Sequence, residues 1–236
     1  MILTVLKMAA MVLVTLLTSL LAIVVIPLDR SGRAYHSMAR RWAKASLWIF
    51  GVHVTVQGLE NIDRSRHYIY VSNHASLFDI PALFASVPDD IRIILKKELT
   101  RVPIWGWALR FGPYITIDRF NAKDAMESID HAAEAIRNGA SVLIFAEGTR
   151  SRDGKLQPFK RGAFALAARS GVPIIPVTIN NSFKIMPKGS LKIQPADILL
   201  VIDKPIESAG VEGKGDELRL MEQVHAILEK NFVEQS

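Results

Sequence analysis

Hydrophobic and polar positions fall into blocks along this chain. Residues 8–26 form an unbroken run of 19 positions without a charge. As a helix this run covers about 28 Å, close to the hydrocarbon thickness of a bilayer. The stretch 27–33, which opens on Pro27, breaks that pattern, and a second helical pattern covers about 34–50. There Tyr35, Met38, Trp42, Ala45 and Ile49 recur at three- and four-residue spacing, with Arg33, Arg40 and Lys44 on another face and Trp48 near the end. A basic amphipathic helix with tryptophans reads as lying in a membrane interface; the alternative is a surface helix packed on its own domain. From Gly51 onward short apolar runs alternate with amphipathic stretches. Runs at 52–57, 68–72, 91–95, 114–117, 142–145, 174–179 and 198–202 predict strands. Helices are predicted near 79–87, 103–110, 122–138, 161–170 and 215–232. The clearest is 122–138, with Asn121 as N-cap, Ile129, Ala132 and Ile136 inward and Gly139 past the end. In the last helix Leu218, Met221, Val224, Leu228 and Phe232 are expected inward. The pattern is α/β, with residues 1–50 as a membrane anchor and 51–236 as the main domain.

Charge adds a partner class. The formal net charge is +6 and the isoelectric point is near 9.6, which calls for an anionic partner: phospholipid headgroups, a phosphorylated substrate or nucleic acid. No basic-aromatic stacking stripe supports nucleic acid. The chain has no cysteine, which excludes disulfides, thiol nucleophiles and zinc-thiolate sites. Around the apolar run, positive charge follows (Arg30, Arg33, Arg40, Arg41, Lys44) rather than precedes (Lys7). The positive-inside rule then places the main domain on the cytoplasmic face of the cell (inner) membrane. The run is long for a signal-peptide core and no cleavage pattern follows promptly, so a retained anchor is expected, either a full span or a shallow hairpin.

The most informative segment is NHASLFD at 73–79, which puts a histidine and a carboxylate five residues apart after an apolar run. Five residues is about 500° of helix, or roughly 140° around the axis, so the two would not share a helix face. The expected arrangement is a strand end, a turn carrying His74 and a helix starting near Asp79. A neutral imidazole can take a proton from a hydroxyl while a carboxylate on its other nitrogen fixes the tautomer. The competing reading makes Asp79 a plain N-cap and His74 a turn residue. Other strand-like runs also hand over to polar clusters: KKEL at 96–99, Asp118-Arg119, and FAEGTRS at 145–151. In open α/β sheets, ligands bind beyond the carboxyl ends of the strands.

Taken together, these segments resemble the glycerolipid acyltransferases, in particular the 1-acylglycerol-3-phosphate acyltransferases. Four ordered blocks carry the resemblance over about residues 70–180: NHASLFD; KKEL with Gly112 and Ile117-Asp118-Arg119; FAEGTRS followed by Phe159-Lys160-Arg161-Gly162; and VPIIPV at 172–177. Ala146 departs from the pattern, since the family usually has proline there; that loses backbone stiffness before Glu147 but no chemical group. The resemblance implies a mixed sheet flanked by helices and acyl transfer from a thioester to lysophosphatidic acid, giving phosphatidic acid. It makes His74 the general base and Asp79 its orienting partner. Arg119 and Arg150 would fork onto the acceptor phosphate, and Lys96 would add a point charge. Glu147 would accept a hydrogen bond from the acceptor's glycerol, and the Gly148 and Thr149 backbone would shape the oxyanion or phosphate site. Lys97 could replace Lys96, and Lys160 could serve donor binding. The 172–177 block reads as a buried strand helping to form the acyl channel, or as plain core. No metal or bound cofactor is implied; the co-substrate is an acyl-carrier protein or coenzyme A thioester, and membrane phospholipids are the other partner. The alternatives are another acceptor, such as glycerol-3-phosphate or a different lysophospholipid, and a non-catalytic membrane-surface module.

Overall fold

The computed structural model describes residues 2–29, 31–117, 122–137, 139–190 and 192–233. Its strands are β1 (Val54–Gln57), β2 (Ile69–Ser72), β3 (Ile91–Lys96), β4 (Ile115–Ile117), β5 (Ser141–Phe145), β6 (Ile174–Asn180) and β7 (Ile198–Ile202). They form one sheet in the order β1-β7-β6-β2-β5-β3-β4. All neighbours pair parallel except β6 and β7, so β7 and β1 run against the other five and the sheet is mixed. The helices are α1 (Ile2–Val25), α2 (Arg33–Phe50), α3 (Asp79–Ser86), α4 (Trp105–Phe111), α5 (Ala122–Arg137), α6 (Gly162–Ser170), α7 (Ser182–Ile185) and α8 (Gly213–Asn231).

Strand alternation sorts the core into two layers. Tyr68 and Tyr70 sit with Leu47 and Phe50 of α2 and with Leu83 and Phe84 of α3. Ile69 and Val71 turn the other way, toward Ala132 and Ile136 of α5, Phe164 of α6 and Leu228 of α8. A strand buried on both faces has no polar side to show, which is why β2 reads as a continuous apolar run. Each large aliphatic side chain fully buried this way contributes about 1.5–3 kcal/mol relative to exposure. In α8 the buried positions are Leu220, Val224 and Leu228, so the inward stripe includes Leu220, and Phe232 lies just past the helix end.

The chain order creates a crevice. From β2 the chain passes through α3 over one face to β3; from β5 it passes through α6 over the opposite face to β6. Neighbouring strands whose connections leave in opposite directions open a gap at their carboxyl ends. The loop after β2 and the loop after β5 both stand at that edge of the sheet.

Helices α1 and α2 are joined to this unit. Ala43, Leu47 and Phe50 of α2 belong to the core under α3, and Trp42 Nε1 donates to Thr15 Oγ1 at 3.0 Å, holding α2 against α1. The apolar face expected to meet lipid is therefore packed on the sheet layer, and the boundary expected at residue 50 crosses a continuous core. What α2 exposes is a basic stripe, Arg33, Arg41 and Lys44, ending in Trp48 at 83% exposure. α1 is different. It is long and apolar enough to cross a membrane by length and composition, and it leaves Leu6, Leu13, Leu17 and Val24 exposed. It is a candidate membrane segment.

Candidate active site

His74 sits in the loop that leaves β2, and Asp79 is the first residue of α3. The imidazole Nδ1 lies 2.6 Å from Asp79 Oδ2. The same carboxylate oxygen accepts the backbone N–H groups of Ala75 at 2.7 Å and Ser76 at 2.8 Å. The Asp79 side chain is 0% exposed and that of His74 15%. Asp79 therefore binds the turn that carries its partner as well as the partner itself. With Nδ1 donating to the carboxylate, Nε2 carries the lone pair and is the ring's proton acceptor. Phe145, the last residue of β5, stacks on the imidazole with ring centroids 3.9 Å apart and planes at 14°. The ring is thus fixed in plane by one residue and in tautomer by another.

The loop after β5 is sewn to the His74 loop. Ser151 N–H donates to the His74 carbonyl at 2.8 Å. In the other direction, His74 N–H donates to Glu147 Oε1 at 3.3 Å. Glu147 is buried, and its Oε2 has no hydrogen-bond partner among the described residues. Burial is the main reason its carboxyl is pushed up to about 8, above the usual carboxylate range. At neutral pH this side chain is mostly a neutral acid, able to donate as well as accept. Gly148 follows with φ +73°, and a Cβ there would come within 2.9 Å of Lys160 Cδ, so the Lys160 chain lies across this turn. Thr149 is exposed and Arg150 half-buried. Lys188, from the connection between β6 and β7, donates to Thr149 Oγ1 at 2.8 Å and to the Arg150 carbonyl at 3.2 Å. Lys96 ends β3 and is exposed; its charge, with those of Arg150 and Arg152, reaches Lys188. Lys97 is exposed beside it, opening the short 3-10 turn after β3.

A dyad able to abstract a proton, beside an acid and a set of cations, suits attack by a hydroxyl of an anionic substrate. The family model described as Acyltransferase matches residues 53–180, more than half of the chain. The chain belongs to the acyltransferase family. It is 32% identical over 235 residues to the 1-acyl-sn-glycerol-3-phosphate acyltransferase of Cocos nucifera, covering 96% of this chain and 74% of that protein. With the Pseudomonas aeruginosa protein of the same name it shares 31% over 205 residues, 85% of this chain and 78% of the relative. The chloroplastic protein of that name from Brassica napus is 38% identical over 194 residues, 81% of this chain. The chain spans about half the length of this curated relative and of its Arabidopsis thaliana counterpart. The crystal structure of the 1-acyl-sn-glycerophosphate (LPA) acyltransferase PlsC from Thermotoga maritima superposes with a TM-score of 0.73, at 28% identity over 95% of both chains.

In this acyltransferase-family chain the loops after β2 and β5 bring His74, Asp79, Glu147, Gly148, Thr149 and Arg150 to one crevice, with Lys96 at the end of the adjacent β3. Arg119, with Asp118 and the expected N-cap Asn121, lies outside the described residues. The plain N-cap reading of Asp79 does not describe its bonds, because its carboxylate turns back to residues 74–76. Ala146, where proline was expected, uses its N–H: it donates to the Ser72 carbonyl at 3.0 Å and ties β5 to β2, a bond proline cannot make. Sequence reasoning missed three residues. Phe145 is legible only from the register that sets Ser72 beside it. Asn73 grips Ile179 through both side-chain atoms, donating to its carbonyl at 2.9 Å and accepting from its N–H at 2.8 Å. Lys188 is 39 residues from the threonine it binds, and no local pattern signals it.

Proposed function

We propose that this protein transfers an acyl chain from an acyl thioester to the sn-2 hydroxyl of 1-acylglycerol-3-phosphate, giving phosphatidic acid. His74 Nε2 takes the hydroxyl proton as that oxygen attacks the thioester carbonyl. The carbon–sulfur bond then breaks, an ester forms, and the departing thiolate takes the proton from the imidazolium. A thiolate leaves readily, so no acyl-enzyme is required. Asp79 holds the tautomer and steadies the imidazolium. Arg150 and Lys96, with Arg119, neutralise the acceptor phosphate. Glu147, as a neutral acid, hydrogen-bonds the acceptor's glycerol. The donor is an acyl-carrier protein or coenzyme A thioester.

The observation that carries this reading is the 2.6 Å contact between His74 Nδ1 and a fully buried Asp79, in a chain of the acyltransferase family. The exposed apolar face of α1 and the basic stripe of α2 support catalysis at a membrane, on its cytoplasmic face, since both acceptor and product keep acyl tails in lipid. The test incubates purified protein with labelled 1-acyl lysophosphatidic acid and each thioester in turn. Phosphatidic acid with the new chain at sn-2 and one free thiol per ester is expected with at least one donor. No product with either donor rules out the assigned reaction.

A further inference from the structure

The connection that follows β6 contributes to the crevice although it lies beyond residue 180, where the family match ends. Ser76 Oγ donates to the Met186 carbonyl at 3.3 Å, so this segment rests on the His74 loop. Two residues later Lys188 reaches the other loop, donating to Thr149 Oγ1 at 2.8 Å and to the Arg150 carbonyl at 3.2 Å. One short segment therefore touches both loops that carry the chemistry.

An ammonium group has three N–H donors. Among the described residues, two of those on Lys188 are used, by residues 149 and 150, and one remains. The charged side chains among the described residues that act on Lys188 are Arg152, Arg150 and Lys96, all cations. Together with partial burial, which is the larger effect, they lower its proton affinity below that of an ordinary lysine. Like charges gathered this way repel one another, and a bound anion reverses the sign of that interaction. A phosphate monoester, with two charges and three free oxygens, is the chemistry that fits.

We infer that Lys188 binds the acceptor's phosphate: its third N–H meets a phosphate oxygen beside Arg150 and Lys96, while its other two fix the Thr149–Arg150 turn. This rests on the acceptor assigned above. It adds to the site a residue from outside the four motif blocks and makes the β6–β7 connection its third wall.

The test compares Lys188→Ala, Lys188→Arg and Lys188→Met with the wild type by steady-state kinetics on lysophosphatidic acid. It also compares them by equilibrium titration with glycerol 3-phosphate, a soluble form of the headgroup. Thermal melts verify that each variant is folded. A charge-assisted hydrogen bond of ordinary strength predicts that Lys188→Ala and Lys188→Met raise KM about 10–100-fold. Their kcat stays within about threefold, because the interaction is made in ground and transition states alike. Lys188→Arg, which keeps the charge, recovers most of the loss. Glycerol 3-phosphate binding weakens in parallel. Unchanged KM and unchanged titration in Lys188→Ala overturn the inference, as does equal behaviour of the Met and Arg variants. If the wild type makes no phosphatidic acid, the acyltransfer reading fails on its own, and the titration still decides whether Lys188 holds a phosphate.

Discussion

The backbone N–H of Ser151 donates to the carbonyl of His74 at 2.8 Å, joining loops that are 77 positions apart in sequence. The proposed base and the turn proposed to hold the phosphate are thereby hydrogen-bonded to each other. Changes made at this junction have consequences that can be measured.

Asp79→Asn is the sharpest change at the dyad. It keeps the shape but leaves the tautomer of His74 unspecified and weakens three bonds converging on Oδ2. Turnover is expected to fall about 1,000-fold. Stability falls by about 1–3 kcal/mol, since the side chain is fully buried. Kinetics and denaturant unfolding on the same preparation check both.

Glu147 links pH to stability. Its carboxyl titrates at about 8 in the folded protein, above its usual value, so the folded state favours the protonated form. The stabilisation it contributes is complete below the usual carboxylate value and is lost as pH rises through about 8. Glu147→Gln cannot titrate and flattens the decline of stability between pH 5 and 9. Unfolding free energies measured across that range test it; identical slopes in the two proteins would count against the assignment.

Asn73 is a structural clamp beside His74. Asn73→Ala removes two buried hydrogen bonds to Ile179, at a cost of about 2–4 kcal/mol. Because the clamp fixes the end of β2, activity per folded molecule falls as well. Urea midpoints and specific activity separate the two effects.

The basic stripe on α2 predicts lipid selectivity. Reversing Arg41 and Lys44 to glutamate weakens binding to vesicles containing anionic lipid by tenfold or more, at about 1 kcal/mol per cation near the surface. Binding to neutral vesicles is unchanged. Flotation assays on both compositions measure it, and equal losses on the two would show that charge is not the cause.

The seven strands lie within two residues of the ranges read from apolar runs, because β2 and β6 are buried along their whole length and β1 and β7 alternate between more and less buried positions. The His74–Asp79 geometry was legible for a related reason. A separation that cannot share a helix face forces a turn between the two residues, and Asp79 does open α3. Sequence was least informative where partners are distant. Phe145 stacks on His74 through the β2–β5 register, and Lys188 reaches Thr149 across a connection with no repeating pattern. The one-turn helix α7 is too short to impose a period. In α2 the same amphipathic spacing serves a lipid surface or a sheet, and packing against α3 decides it.

The central claim is that His74 is the base. The rate of phosphatidic acid formation from lysophosphatidic acid and an acyl thioester, wild type against a folded His74→Ala, tests it most directly. A loss of at least about 1,000-fold is the predicted result. A mutant within tenfold of wild type contradicts it, and the proton must then be taken by another group.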